Sequence, residues 1–178
     1  MPLKPSFGVR VGTGVLADVE MRLRVRMLGQ LAIFRGDESV VLPSSRKVRS
    51  LLTYLALATR PVPRQRLCDL LWDAPSDPKG ELRWCLSKIR RVVDDPGHRR
   101  LITDAGNVYL DLSGCEVDAR TVLAAVQGNH LAARSAGELR ALSALFRDDF
   151  ASNLELDAHP IFQSWLTAQR SLFRSHLI

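Results

Sequence analysis

Residues 79–93, Lys-Gly-Glu-Leu-Arg-Trp-Cys-Leu-Ser-Lys-Ile-Arg-Arg-Val-Val, place two chemistries on opposite sides of one helix. At about 100° per residue, Leu82, Leu86, Ile89 and Val93 form an apolar stripe, with Cys85 and Val92 beside it. The other side carries Gly80, Trp84, Ser87, Lys88 and Arg91, flanked by Arg83 and Arg90. One face suits a core. The other offers cations, a hydroxyl and an indole to an anionic, grooved partner, and DNA is the first candidate. A solvated basic surface helix has the same pattern, so the surroundings must decide.

The charge distribution favours an anionic partner. The chain has 178 residues and a net charge of +6. Residues 46–100 hold 13 Lys and Arg against 6 Asp and Glu, leaving 12 against 13 elsewhere. The whole surplus therefore lies in the segment that contains the helix, a focused electrostatic footprint. A hydrophobic content of 46% is enough for a packed core. Cys68, Cys85 and Cys115 lack metal-ligand spacing, and an odd, sparse count fits reduced thiols in a cytoplasm. No apolar run is long enough to span a membrane, and no signal peptide is visible. His98, His130, His159 and His176 are scattered, and there is no phosphate loop, metal motif or nucleophile elbow. The expectation is a non-enzyme without cofactor or metal.

The helix sits in a definite order of elements. Residues 1–20 read as a loose extension, and Met21 is an alternative start. Residues 22–28, 31–34 and 39–42 alternate or cluster apolar residues as three short strands of an antiparallel meander, with Gly29-Gln30 as a break. Arg22, Arg24 and Arg26 fall on its outer, solvated face. Pro43-Ser44-Ser45 caps a helix from Arg46 to Ala58 on Val48, Leu51, Leu52 and Leu55. Pro63 fits the first turn of a helix from Arg64 to Trp72. Residues 73–78 form a loop, and Asp77 is the expected N-cap of the basic helix, which stops at Asp94-Asp95-Pro96-Gly97. Leu101-Ile-Thr103 and Val108-Tyr-Leu110, around Asp104–Asn107, read as a hairpin. Strands, three helices and a hairpin make a winged-helix layout, with the basic helix in the position that enters the major groove.

Four segments carry a resemblance. Met27-Leu-Gly-Gln-Leu31 resembles an opening "LLG-x-L" strand. Residues 62–72 resemble a "V-S-R-x-x-L-x-x-x-L-W" second helix. Residues 82–91 resemble the recognition helix "L-x-x-x-(I/L)-S-x-L-R-R", and Gly106-Asn-Val-Tyr109 resembles the wing's "G-x-G-Y". In this order they make Met21–Val117 similar to the OmpR-type winged-helix DNA-binding domain of the Streptomyces antibiotic regulatory protein (SARP) and AfsR-like family. Val117-Asp-Ala-Arg120 and residues 150–166 resemble that family's bacterial transcriptional activator domain. The implied architecture is α+β: residues 1–20 an extension, 21–117 a winged helix-turn-helix with an N-terminal antiparallel sheet and a hairpin wing, and 118–178 a partial helical, tetratricopeptide-like segment. Its helices are expected near 118–128, 136–146 and from Pro160 to about Leu177. Asp104-Ala105 stands before Gly106 where relatives often carry Arg, which argues against minor-groove reading by the wing. Val108 replaces the second wing glycine, and Gly80 stands where relatives often carry a polar or basic residue.

The resemblance implies a cytoplasmic, sequence-specific transcriptional regulator, an activator by family, binding double-stranded DNA, with RNA polymerase and a second copy as further partners. Arg83, Trp84, Ser87 and Lys88 are the base-contact candidates: Lys donates to guanine, Ser pairs with several base edges, and Trp84 packs on thymine methyls or sugars. The alternative for Trp84 is a contact within the protein near Pro75. Arg46, Lys47, Lys79, Arg90 and Arg91 are phosphate candidates. The resemblance adds the Trp72 indole N–H as a phosphate donor, against a core aromatic role. His98, Arg99 and Arg100 lie at the wing's foot, on DNA backbone or in a solvated turn. The alternative is a winged helix used as a protein-interaction module for polymerase or another partner. Twenty residues ahead of the winged helix are too few for a phosphate-receiver domain, so control is expected through the C-terminal helices, a ligand or expression level. The C-terminal apolar residues are expected to pack on one another and on the winged helix, or on a second copy.

Overall fold

The computed structural model describes residues 22–72, 77–127 and 134–176. The expectations for the N-terminal extension, Met21, residues 73–76 including Pro75, His130 and Leu177 lie outside them.

The first strand, β1 (Leu23–Arg26), buries Leu23 and Val25 and turns Arg24 and Arg26 outward, as its alternation requires. It pairs antiparallel with β3 (Ala32–Arg35), which pairs with β4 (Glu38–Val40) across the Gly36-Asp37 turn. On the outer face, the Arg26 and Arg24 guanidinium carbons lie 4.4 and 5.5 Å from the Phe34 ring centre. Arg24 also donates to the Gly36 carbonyl at 2.7 Å. These arginines are fastened to the sheet surface.

Two strand pairings correct the sequence reading. Gly29-Gln30 is not a break but a short strand, β2, which pairs parallel with β9 (Phe150–Ser152). β8 (Glu116–Val117) adds a parallel edge to β1. Both join segments about 90 or more residues apart, and two or three residues cannot display a period.

Helix α1 (Arg46–Leu57) starts at Ser45, whose hydroxyl accepts the Val48 N–H. Pro63 lies outside the next helix, as the N-cap of α2 (Arg64–Leu71) and the end of a two-residue strand β5 (Val62–Pro63). Helix α3 spans Pro78–Val93. The hairpin β6 (Leu101–Asp104) and β7 (Asn107–Leu110) follows, and β5 joins it as a third strand. Its two-residue turn holds Ala105 and Gly106 at φ 42° and 84°. This is the positive-φ pair that a hairpin twist demands, met by glycine at one position and by a less tolerant alanine at the other.

The C-terminal helices are α4 (Asp118–Gln127), α5 (Ala136–Ser143) and α6 (Pro160–Ser175). They share one core with the rest. Phe150, Phe162 and Phe173 are fully buried in the cluster that contains Met27, Leu28, Leu51 and Leu55. Trp165 of α6 lies 5.0 Å from Tyr54 of α1, ring centre to ring centre, and Phe150 stacks on Phe173 at 4.9 Å. The expected packing of this segment on the three-helix unit is therefore present.

A buried carboxylate pins the same junction. Asp118 accepts the N–H groups of Met27 (2.8 Å), Leu28 (3.1 Å) and Ala119 (2.7 Å), and Arg147 lies 3.6 Å away. Burial pushes the Asp118 carboxyl above its ordinary range, against the pull of those N–H groups and Arg147. Asp118→Ala should cost about 1–3 kcal/mol in urea unfolding at pH 7, because two buried sheet N–H groups lose their acceptor. The raised folded value also means that the folded state binds the proton more tightly than the unfolded one. The Asp118 contribution to stability should therefore fall as pH rises from about 4 through the raised value, and the variant should lack that component. Equal stability of variant and wild type at every pH would remove the pin.

Candidate nucleic-acid interface

The start of α3 is set by Asp77, whose carboxylate accepts the Gly80 N–H at 2.9 Å, with Pro78 in the first turn. A Cβ at Gly80 would come within 2.2 Å of Asp77 Oδ2. Glycine leaves the cap carboxylate room to lie over the helix end, and a larger residue would ask only that this exposed side chain turn slightly aside. Glu81 in the first turn and Arg90 and Arg91 in the last complement the helix dipole.

The far end of α3 is held by two other groups. Arg35 of β3 donates to the Val92 carbonyl at 3.1 Å. Asp94 accepts the N–H groups of Arg100 (2.9 Å) and Leu101 (3.0 Å), which fixes where the hairpin leaves the helix. Asp95 lies between Arg35 and Arg100 and pairs with both.

Between these ends the apolar stripe is buried: Leu82, Cys85, Leu86, Ile89 and Val93 are each no more than 1% exposed. Burial drives the Cys85 thiol up to about 11, so it is a neutral core group. The opposite face is open. Trp84 is 47% exposed, Arg83 reaches out with only a 3.9 Å approach to Asp77, and Arg91 is exposed. Lys88 lies with Nζ 5.3 Å from the Trp84 ring centre. The Ser87 hydroxyl donates to the Trp84 carbonyl at 2.7 Å.

Two basic clefts flank this face. One, of about 530 Å³, is lined by Arg64, Gln65, Cys68, Asp77, Lys79, Leu82 and Arg83. The other, of about 560 Å³ between α3 and the hairpin, is lined by Arg90, Asp94, Arg99, Leu101, Ile102 and Thr103. Arg90 donates to the Thr103 hydroxyl at 3.2 Å and so ties the helix to the hairpin. The Arg64 N–H donates to the Gly106 carbonyl at 2.8 Å, tying α2 to the hairpin turn.

The sequence-derived candidates thus separate. Arg83, Trp84, Ser87, Lys88, Lys79, Arg90 and Arg91 share the helix and its flanking clefts. Arg46 is exposed at the start of α1; against burial, a backbone hydrogen bond and Arg170 at 2.7 Å, with a smaller contribution from Arg46, hold the nearby Glu155 carboxyl below its usual range. Lys47 lies over the Trp72 ring, Nζ to centre 5.4 Å.

Two candidates are corrected. Arg100 does not reach the surface: it is 9% exposed, with its guanidinium on Asp95 and Cys115 Sγ. Trp72 is 8% exposed, and its indole N–H is enclosed without a hydrogen-bond partner among the described residues. It packs as a core aromatic. His98 lies 3.8 Å from Asp111, while Arg99 remains exposed. Arg64 was missed, because a cation at a helix start looks like any other surface residue until the fold brings Lys79 and Arg83 beside it.

No family model matches the chain, and no curated protein does. Among solved structures, the chain is similar to Mycobacterium tuberculosis EmbR, a structure determined in complex with a low-affinity phosphopeptide. The fold resembles that of EmbR. The match has a TM-score of 0.65 and 22% identity, and covers 88% of this chain. It takes in 43% of the EmbR chain, so this chain spans less than half the length of its neighbour. At that identity the likeness concerns architecture, and the interface must be argued from the residues above. Among the described residues no helix is long and apolar enough to cross a membrane.

Trp72→Phe removes the indole N–H, which has no partner among the described residues, but also leaves part of the indole's volume empty in the core. It should lower stability by about 1–2 kcal/mol while duplex affinity, measured well below the unfolding temperature, stays within about twofold. A loss of more than about tenfold in affinity by the folded variant would show that the indole N–H reaches a phosphate after all.

Proposed function

We propose that this chain is a sequence-specific, double-stranded DNA-binding transcriptional regulator that lays α3 in the major groove. The observation that carries this reading is the outward face of α3. Arg83, Trp84, Ser87, Lys88 and Arg91 stand opposite a fully buried stripe, and Glu81 is the helix's one acidic residue. A helix of this diameter fits the major groove, and its two flanking clefts put cations where the sugar–phosphate ridges run. Lys79, Arg64 and Arg83 serve one ridge, and Arg90, Arg99 and Arg91 the other. The hairpin acts as the wing. Its tip carries Asp104 rather than a cation, so it braces α3 through Thr103 instead of entering the minor groove.

In this reading residues 21–117 are the DNA-binding unit of a SARP-like regulator, and residues 118–178 are a partial helical activator segment. That segment fixes the spacing of a second copy on DNA or meets RNA polymerase. The aromatic cluster joining α6 to α1 supports a tail rigidly placed against the reader.

Duplex binding should weaken with salt at a log–log slope of roughly −4 to −6, about −0.9 for each neutralised phosphate. Affinity flat from low to moderate salt would end the DNA reading and favour a protein-interaction module. Lys88→Ala should relax sequence preference and cost about 1–3 kcal/mol on the preferred duplex. Arg91→Ala should weaken all duplexes alike and reduce the slope by about one. Identical losses on specific and random DNA for both variants would contradict this division of labour.

A further inference from the structure

We infer that Trp84 and Lys88 act as one rigid unit that reads a thymine and a guanine on adjacent base pairs, with Ser87 beside them accepting from the amino group of an adenine or a cytosine. This assignment rests on the DNA reading above and adds the base chemistry to it.

Three observations carry it. First, the Trp84 indole is 47% exposed at the middle of an otherwise cationic face. A flat apolar surface there gains nothing from phosphate; in the major groove its match is the thymine C5-methyl, the apolar group on a base edge. Second, Lys88 Nζ sits 5.3 Å from the indole centre. That cation–π contact orders the long side chain before DNA arrives and leaves less rotamer freedom to lose on binding. No single base pair offers both a thymine methyl and a guanine edge, and the 5.3 Å separation is short of two base-pair rises of about 3.4 Å each, so ring and ammonium address neighbouring pairs. An ammonium only donates, so the base edge it selects is guanine, with its O6 and N7 acceptors.

Third, the Ser87 hydroxyl has its proton committed. It donates to the Trp84 carbonyl at 2.7 Å, and a carbonyl oxygen can only accept. The free side of the oxygen therefore offers lone pairs alone. Accepting from adenine N6 or cytosine N4 lets Ser87 keep its bond to Trp84, whereas donating to guanine O6 would require that bond to be given up, so the amino groups are favoured.

The test uses the full chain. Duplexes are first selected from a random pool, and binding of the selected duplex is then read by fluorescence anisotropy at fixed salt. Each thymine is replaced in turn by deoxyuridine, which lacks only the C5-methyl. At one thymine next to a guanine, the replacement should weaken the wild type about fourfold, the worth of one buried methyl-sized group. It should leave Trp84→Ala unaffected, since that variant has already lost the contact. Replacing the neighbouring guanine by 7-deazaguanine should weaken the wild type and spare Lys88→Ala. Matching thermal unfolding of the variants and the wild type establishes that the exposed side chains were removed without loss of fold. If the wild type selects a sequence yet binds every deoxyuridine duplex as tightly as the parent, the Trp84–Lys88 assignment is overturned while the DNA reading stands. If the chain selects no sequence at all, the readout reading of the preceding section falls and takes this one with it.

Discussion

The rotation of α3 about its own axis is the constraint on which the interface depends. Four large side chains, Leu82, Leu86, Ile89 and Val93, lie along one stripe and are sealed from water. Burial of each is worth about 1.5–3 kcal/mol, so turning the helix by a single residue position would forfeit several kcal/mol. No polar contact on the outer face competes with that. The outward set is therefore fixed by what the inner set requires, and the caps at either end only set the helix's length and axial position. Arg35 and Asp94 matter because they close the C-terminal end and aim the hairpin. The Arg90–Thr103 bond then makes helix and hairpin a single body.

A second constraint reaches across the chain. The short β2–β9 and β1–β8 pairings, the Asp118 carboxylate under the Met27 and Leu28 N–H groups, and the Tyr54–Trp165 contact all join the C-terminal segment to the first 60 residues. Arg120 reinforces the joint by donating to the Ala56 and Ala58 carbonyls at the end of α1. Removing residues 121–178 would uncover Met27, Leu28 and Tyr54, so the two segments are better separated by surface substitutions than by truncation. The same continuity packs the C-terminal helices onto the unit that carries α3.

What the sequence revealed follows from how far apart the determinants lie along the chain. The α3 stripe, its Asp77 cap, the Ser45 cap and the hairpin turn are local patterns of a few residues, and each appears where the spacing places it. β5, β8 and β9 are two or three residues long and exist through pairing with distant strands, so no period betrays them. Side-chain fate was least legible. Arg99 and Arg100 are neighbours in a basic run, yet one is exposed and the other is folded onto Asp95. That difference was set by where Asp94 captures the backbone, which the charge run does not encode. Trp72 looked outward by resemblance and is inward by packing. Arg35, which closes α3 from the end of β3, stands just past the apolar run 31–34, where a lone arginine carries no signal.

The proposed placement of the outward face of α3 in the major groove can be tested at guanine N7. Guanine N7 opens onto that groove and is methylated by dimethyl sulfate, so methylation interference on the selected duplex reads the contact directly. With α3 in the major groove, N7 methylation at one or two guanines should abolish binding by the wild type, and Lys88→Ala should relieve the effect there. Undiminished binding to duplex methylated at every guanine N7 would contradict it, because α3 would then be docked elsewhere.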